Sequence, residues 1–327
     1  MIIITGAAGF IGSNLVKFLE DHTQEPLVIV DVLDHQEKWQ NLKNRKIHDF
    51  IFPESLFPYL NENAGKITHI FHLGAISATT ETDANLIIET NFRLSKELLA
   101  WCTEHSVAFI YASSAATYGD GSHGFVDTES NADLKAFTPL NAYAWSKHLF
   151  DRHVLDLKDK GLKLPPQWVG LKFFNVYGPN EYHKGQQMSV VKHIFESVKS
   201  GGAAKLFRSY KEGYKDGEQL RDFIWIDDCT EVMHWFYQNK TKSGLFNVGT
   251  GKARSFYDLA SSVFSALDRP NNIEFIDMPH NLREKYQYFT EANMDKLKNA
   301  GYTESFTSLE DGVKQYVSYL KKDDPYR

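Results

Sequence analysis

Tyr143-Ala-Trp-Ser-Lys147 sets a phenol and an ammonium four residues apart. On a helix the two share a face, so the lysine cation sits beside the tyrosine and favours its phenolate. A phenol with an ordinary pKa of about 10 then becomes a usable base for a hydroxyl proton. Alone the pair is common, and its bland reading is a solvated helix with a snorkelling lysine. It gains weight from Ala112-Ser-Ser114-Ala-Ala-Thr117-Tyr-Gly119, an upstream strand end whose Ser114 hydroxyl can polarise the same substrate oxygen. Tyr143, Lys147 and Ser114 are therefore read as catalytic.

The chain opens on a cradle for phosphates. Met1-Ile-Ile-Ile-Thr5 is a short apolar, β-branched run that reads as a buried parallel strand, and Gly6-Ala-Ala-Gly9-Phe-Ile-Gly12 opens a helix behind it. Gly6 allows the tight turn, Gly9 lets the backbone approach a pyrophosphate, and Gly12 permits close helix packing. The free N–H groups and dipole of the helix face the phosphates. Leu27-Val-Ile-Val-Asp31 is a second apolar strand ending in an acid that can meet an adenosine ribose. Together these segments predict a dinucleotide site.

The elements that must position these groups alternate along the first half. Ile70-Phe-His-Leu-Gly-Ala75 and Val107-Ala-Phe-Ile-Tyr-Ala112 read as strands, with a helix between them from about Leu86 to Cys102. The stretch after Asp31 reads as irregular and polar. A helix begins near Asn141, and Gln167 to Asn175 forms a strand that leaves toward Val176-Tyr-Gly-Pro179. This alternation predicts an α/β fold, a Rossmann-type doubly wound parallel sheet, with a smaller mixed α/β substrate-binding lobe. The dinucleotide-binding domain is expected over 1–179. The substrate lobe is expected mainly over 180–327, with helices at Met188 to Ser200 and Phe256 to Leu267, and segments near 221–250 returning to the first domain. The polar segment Ser209 to Gln219 reads as a mobile surface loop.

Composition excludes several classes. The 327 residues, 42% hydrophobic, can bury a large core. A net charge of −6 argues against nucleic acid as a partner. No stretch is long and apolar enough for a membrane span, and the first residues enter a strand at once, so a cytoplasmic protein is expected. Cys102 and Cys229 lack metal-type spacing and read as small buried hydrophobes, and no metal is expected.

Taken together, the glycine turn, the Ser/Tyr/Lys set and the run Phe173-Phe-Asn-Val-Tyr-Gly-Pro179 resemble the extended short-chain dehydrogenase/reductase family acting on nucleotide-activated sugars. His183-Lys-Gly185, Lys205-Leu-Phe207, Arg221-Asp-Phe223 and Tyr286-Gln287 before Phe289-Thr290 resemble, more narrowly, its ADP-heptose 6-epimerase branch, which supplies heptose for the lipopolysaccharide core. The resemblance runs over nearly the whole chain. It implies transient oxidation at C6 and return of the same hydride to the other face, with Tyr143 and Lys184 as two bases, either of which would serve either epimer. It also implies a homo-oligomer, a pentamer in the branch, and an ADP-heptose as substrate.

Carried over residue by residue, the resemblance gives cofactor contacts at Gly6, Gly9, Phe10, Ile11, Gly12, Asp31, Val32, Lys38, Leu73, Gly74, Ala75, Ile76, Ser77, Asn91, Tyr143, Lys147, Val176 and Lys184. Substrate contacts fall at Ser114, Asn175, Gln186, His193, Phe207, Arg221 and Tyr286, with the Arg221 guanidinium clamping a diphosphate. The bland reading of Arg221 is an ion pair with Asp222 or another nearby acid. Asp31 alone favours NAD, because an acid repels a 2′-phosphate. The branch uses NADP with an acid here and a neighbouring lysine, which Lys38 resembles, so NADP is expected and NAD is the alternative. Val32 and Leu73 depart from the asparagine and glutamate frequent in the branch. Another nucleotide-sugar epimerase, dehydratase or reductase remains an alternative, as does a non-catalytic dinucleotide sensor. Against a dehydratase, Ala115-Ala116-Thr117 carries no acid pair.

Overall fold

The computed structural model describes residues 1–33, 37–283 and 286–327. Seven parallel strands form the central sheet, in the spatial order Gly244–Val248, Trp168–Phe173, Ala108–Ser114, His69–His72, Ile2–Thr5, Leu27–Val30 and Asp49–Ile51. Ile2, Ile3 and Ile4 have no exposed surface. A central parallel strand is covered on both faces, which is why its sequence is an unbroken apolar run rather than an alternating one.

Sequence order reverses at Ile2–Thr5, which has Leu27–Val30 on one side and His69–His72 on the other. Such a reversal opens a crevice beyond the carboxyl ends of the strands. Gly6, Asp31 and Leu73 follow those three strands and therefore meet at its mouth. Helix Phe10–His22 packs against helix Ile226–Gln238, and helix Ala142–Asp159 lies against strand Ala108–Ser114 and the helical segment 84–105.

Two elements differ from the sequence reading. The irregular stretch after Asp31 contains the edge strand Asp49–Ile51 and a short 3-10 helix, Lys38–Asn41, whose three- and four-residue lengths escape periodicity. The segment read as one α-helix is α-helical at Ala84–Ile87 and Leu94–His105 but π-helical over Ile88–Arg93. Single π-turns gather at functional sites, and this one carries Asn91.

Beyond the sheet, helices Val190–Lys199, Phe256–Ala266 and Leu309–Leu320 pack together beside two strand pairs, Ala204–Phe207 with Ile273–Ile276 and Leu220–Arg221 with Arg254–Ser255. Ser255 and Asp258 close a capping box at the start of the second helix. Strand Phe223–Trp225 pairs in parallel with Asn175–Tyr177, and strand Gly244–Val248 is an edge of the main sheet. The Ser209 to Gln219 segment is a turn tied down rather than a free loop. The Ser209 N–H donates to Asp216 (2.8 Å), the Tyr210 N–H to the Tyr288 hydroxyl (2.9 Å) and the Tyr210 hydroxyl to Asp277 (2.7 Å).

Candidate active site

Backbone contact shapes the glycine turn. Gly6 has φ +66°, and a Cβ there would lie 2.5 Å from the Gly74 nitrogen, while one on Gly12 would lie 2.1 Å from the Gly6 carbonyl. No side chain other than hydrogen fits at either place. Helix Phe10–His22 starts after an extended Gly9 with no side-chain cap, so no side chain of the cap residue claims its first N–H groups. An uncapped helix start above a cradle that a Cβ would fill fits a dinucleotide pyrophosphate.

Around the turn, side chains fix the loops. Asp31 accepts the Ala8 N–H at 2.7 Å on one oxygen, and on the other the Val32 N–H and the Lys38 ammonium, both at 2.7 Å. Lys38 also donates to the Val32 carbonyl at 2.9 Å. Leu73 to Ser77 leaves strand His69–His72. There the Gly74 N–H donates to the Thr5 hydroxyl (3.1 Å), and Asn91 brackets Ile76 by accepting its N–H (2.8 Å) and donating to its carbonyl (3.0 Å). His72, fully buried, bonds Thr5 at 2.7 Å and Ser95 at 2.9 Å, and burial pushes its pKa down to about 3. It is therefore a neutral brace.

The Asn141 side chain caps helix Ala142–Asp159 and thereby orients Tyr143 and Lys147 in its first turns. Asn91 also donates to the Ser146 hydroxyl at 3.0 Å, which ties this helix to the Ile76 loop. Burial pushes the Lys147 ammonium down to about 8, with the Asp151 charge opposing. The expected phenolate relies on Lys147 together with an oxidised nicotinamide ring; the protein's own groups place the Tyr143 phenol above its ordinary value. Burial raises it, the Ser114 hydroxyl within hydrogen-bonding reach pulls it down, and Asp151 pushes it up again. Desolvation and the Asp151 charge come from the fold and are not visible in the Tyr-x-x-x-Lys spacing.

Beneath the pair lies a polar cluster the sequence reading missed. Lys172 and Asp151, both with no exposed side-chain surface, meet at 2.6 Å. Tyr111 (3.1 Å) and Ser113 (2.7 Å) also donate to Asp151, and Lys172 donates to Thr117 at 2.8 Å. Two signals were available. Asp151 continues the Tyr143/Lys147 face at helical spacing, and Lys172 interrupts an otherwise apolar strand.

Lys184 sits on a short 3-10 segment, Tyr182–Gln187, with its ammonium 5.4 Å above the Phe10 ring. Burial lowers its pKa and the Glu181 charge opposes. Val190, His193, Phe207, Gln219, Phe256 and Tyr286 are among the walls of a cavity of about 530 Å³ that Gln186 and Lys205 also border. Asn175 and Val176 lie outside this lining, in the strand that pairs with Phe223–Trp225, and Asn175 is exposed.

Arg221 is buried between the rings of Tyr286 (5.1 Å) and Phe256 (5.6 Å), and donates to the Leu220 carbonyl at 2.8 Å. Its ion pair with Asp222 does not form. Asp222 instead accepts from Thr250, Gly251 and Ala292. Among the described residues no acid pairs with Arg221, and desolvation lowers its pKa. A buried guanidinium stacked on aromatics beside a cavity is suited to an anion.

The family described as the NAD dependent epimerase/dehydratase family matches residues 2–249. Curated relatives include the ADP-L-glycero-D-manno-heptose-6-epimerases of Fusobacterium nucleatum subsp. nucleatum and Nitratidesulfovibrio vulgaris, 47% and 48% identical over 335 and 330 aligned residues, with 100% of each chain covered. Among solved structures, the Helicobacter pylori ADP-L-glycero-D-manno-heptose-6-epimerase is 29% identical with a TM-score of 0.77, covering 98% of this chain and 95% of its own. Thermus thermophilus UDP-glucose 4-epimerase in complex with NAD, 23% identical, shares the fold at a TM-score of 0.76, covering 98% and 99%.

Proposed function

We propose that this chain, which belongs to the NAD dependent epimerase/dehydratase family, inverts C6 of ADP-D-glycero-D-manno-heptose to give ADP-L-glycero-D-manno-heptose. The observation that supports this reading is that two elements bearing proton-handling groups are each tied to the cofactor cradle. Lys184 stands over Phe10, and the Tyr143 helix is tied to the Ile76 loop through Ser146 and Asn91.

A nicotinamide dinucleotide is the cofactor, and it supplies a reversible hydride acceptor. Gly6, Gly9, Phe10, Ile11 and Gly12 would hold its pyrophosphate, Asp31, Val32 and Lys38 its adenosine end, and Leu73 to Ser77, Asn91, Lys147 and Val176 the remainder. Within this reading NADP is the form used. In support, Lys38 neutralises Asp31, and protein donors already occupy both carboxylate oxygens. The repulsion an acid would offer a 2′-phosphate is thereby reduced.

Tyr143 Oη takes or returns the C6 hydroxyl proton in one sugar orientation, and Lys184 Nζ in the other. Ser114 Oγ polarises the same oxygen. A lysine serves as a base only when partly neutral, and burial of Lys184 favours that form. Arg221 binds the diphosphate, and Gln186, His193, Phe207, Tyr286 and Asn175 receive the rest of the substrate. Residues 1–179 hold the dinucleotide and 180–327 mainly the sugar nucleotide, with the segments near 221–250 built onto the first domain. The reading includes a cytoplasmic, pentameric enzyme of lipopolysaccharide core supply; among the described residues no helix is long and apolar enough to cross a membrane.

Incubation of the purified protein with the C6-deuterated substrate, without added cofactor or metal, tests this. Epimerisation with deuterium retained at C6 is expected, because the hydride returns to the carbon it left. Loss of the label to solvent overturns the redox mechanism.

A further inference from the structure

Asn41 has no exposed surface, and none of the roles above uses it. It ends the short helix Lys38–Asn41, whose first residue reaches Asp31. Its Nδ2 donates in two directions, to the Ala8 carbonyl inside the glycine turn at 2.8 Å and to His183 Nδ1 at 3.2 Å. A carbonyl only accepts, so the Ala8 contact fixes which end of the amide faces it. His183 Nδ1 must then accept, which leaves the imidazole proton on Nε2. Among the described residues the amide's own oxygen, which is buried, has no partner. An unpaired buried oxygen is costly, and an apolar side chain of similar size would avoid that cost. An asparagine persisting here is explained by what its nitrogen joins.

Those two acceptors belong to different parts of the molecule. Ala8 lies between Gly6 and Gly9, and its N–H is held by Asp31 at 2.7 Å. His183 immediately precedes Lys184. The rest of the Lys184 segment is braced elsewhere, with Glu181 bound to Ser189 (2.6 Å) and Tyr316 (2.8 Å), and the Tyr182 hydroxyl to the Pro325 carbonyl (3.1 Å). Asn41 is thus a bridge between the Lys184 segment and the phosphate cradle.

We propose that Asn41 is a positioning residue that sets Lys184 against the cofactor cradle through His183, so that the second base takes its place from the same turn that holds the phosphates. The proposal rests on the reading of Lys184 as one of the two bases. A base displaced by about 1 Å loses on the order of 100-fold in rate. Replacing Asn41 therefore acts on catalysis through Lys184, without touching substrate.

A double-mutant cycle on the cofactor-loaded enzyme tests this. Epimerisation rates are measured for the native enzyme, Asn41→Ala, Lys184→Met and the double variant, together with the bound nucleotide each retains. Asn41→Ala is expected to lower kcat by on the order of 10–100-fold while KM for the sugar nucleotide holds. It should lower nothing further once Lys184 is methionine. Equal losses in both backgrounds, or loss of bound nucleotide in step with rate, overturn the proposal and make Asn41 a support of the cradle itself. A native rate in Lys184→Met instead removes the two-base reading, and this proposal with it. If Asn41→Ala does not fold, His183→Ala cuts the bridge at its other end, leaves the Ala8 contact in place, and is held to the same pattern.

Discussion

Two buried cations in this molecule are treated in opposite ways. Lys172, under the Tyr143 helix, is enclosed by an ion pair with Asp151 and a bond to Thr117, and Tyr111 and Ser113 satisfy Asp151 in turn. Arg221, beside the cavity that Tyr286 and Phe256 line, has aromatic faces and one backbone carbonyl but, among the described residues, no acid. Charge balance inside the protein marks the first as scaffold. Its lack around the second is what the proposed reading uses, with the ligand's diphosphate as the counter-charge. Lys147 falls with the open group, being buried and pushed down to about 8, and Lys38 stands between the two, part-exposed and already on Asp31.

The closed site gives the largest expected effect. Asp151→Asn leaves the Lys172 charge buried and unpaired, and loss of one partner of such a pair costs about 3–5 kcal/mol. Urea unfolding should register that loss, and Asp151→Leu combined with Lys172→Met should recover most of it. A single substitution costing under about 1 kcal/mol would mean that water reaches the cluster, and the contrast with Arg221 would collapse.

Lys147 comes next, with a sign set by linkage. The unfolded lysine titrates at 10.5 and the folded one at about 8. Below pH 8 both states are charged and the whole burial penalty is present. Between pH 8 and 10.5 the folded chain binds fewer protons, so its stability rises with pH until the penalty is gone. Lys147→Met should therefore stabilise the nucleotide-free protein at pH 7 by on the order of 3 kcal/mol, although it abolishes turnover. The two unfolding midpoints should converge near pH 10.5. A pH-independent difference would make the gain one of packing alone.

How far the sequence reveals these sites follows from the distance between partners. The glycine turn is legible because residue type at fixed spacing dictates backbone geometry, as the contacts a Cβ would make at Gly6 and Gly12 show. Tyr143 and Lys147 are legible through helical periodicity. The pairing of Lys172 with Asp151, and of Asn41 with Ala8 and His183, is not, since only the tertiary packing of strands, helices and loops far apart in sequence brings them together. The raised Tyr143 phenol escaped for a related reason, because burial belongs to the fold and not to a neighbour in sequence. An Arg221–Asp222 pair is disfavoured by the extended chain itself, since its successive side chains point to opposite sides.

The open site predicts a change in binding rather than in folding. Arg221→Met keeps the stacking volume between Tyr286 and Phe256 while removing the fork. Affinity for the ADP-sugar should fall by about 1.5–3 kcal/mol, the range for a hydrogen bond to a charged group. The unfolding midpoint should hold or rise, because an uncompensated buried charge is gone. Titration calorimetry and a melting curve on one preparation separate the two. A large loss of stability with unchanged affinity would place Arg221 among the closed cations.

Lys38 gives the smallest effect and the finest test, because it joins both behaviours in one residue. Its ammonium neutralises Asp31 at 2.7 Å, yet part of the side chain stays open to a ligand. In Lys38→Ala the Asp31 carboxylate keeps its two backbone donors and recovers its full charge beside the ribose. NADP binding should then weaken by about 1–2 kcal/mol more than NAD binding, the low end for a charge-assisted contact because the site is partly screened. The measurement is the ratio of the two dissociation constants, native against variant. Folding stability should fall by less than at Asp151, since the Asp31 carboxylate keeps its two backbone donors. Equal weakening of both cofactors would make Lys38 a bystander and return Asp31 to the role an acid at this strand end ordinarily has, that of selecting NAD.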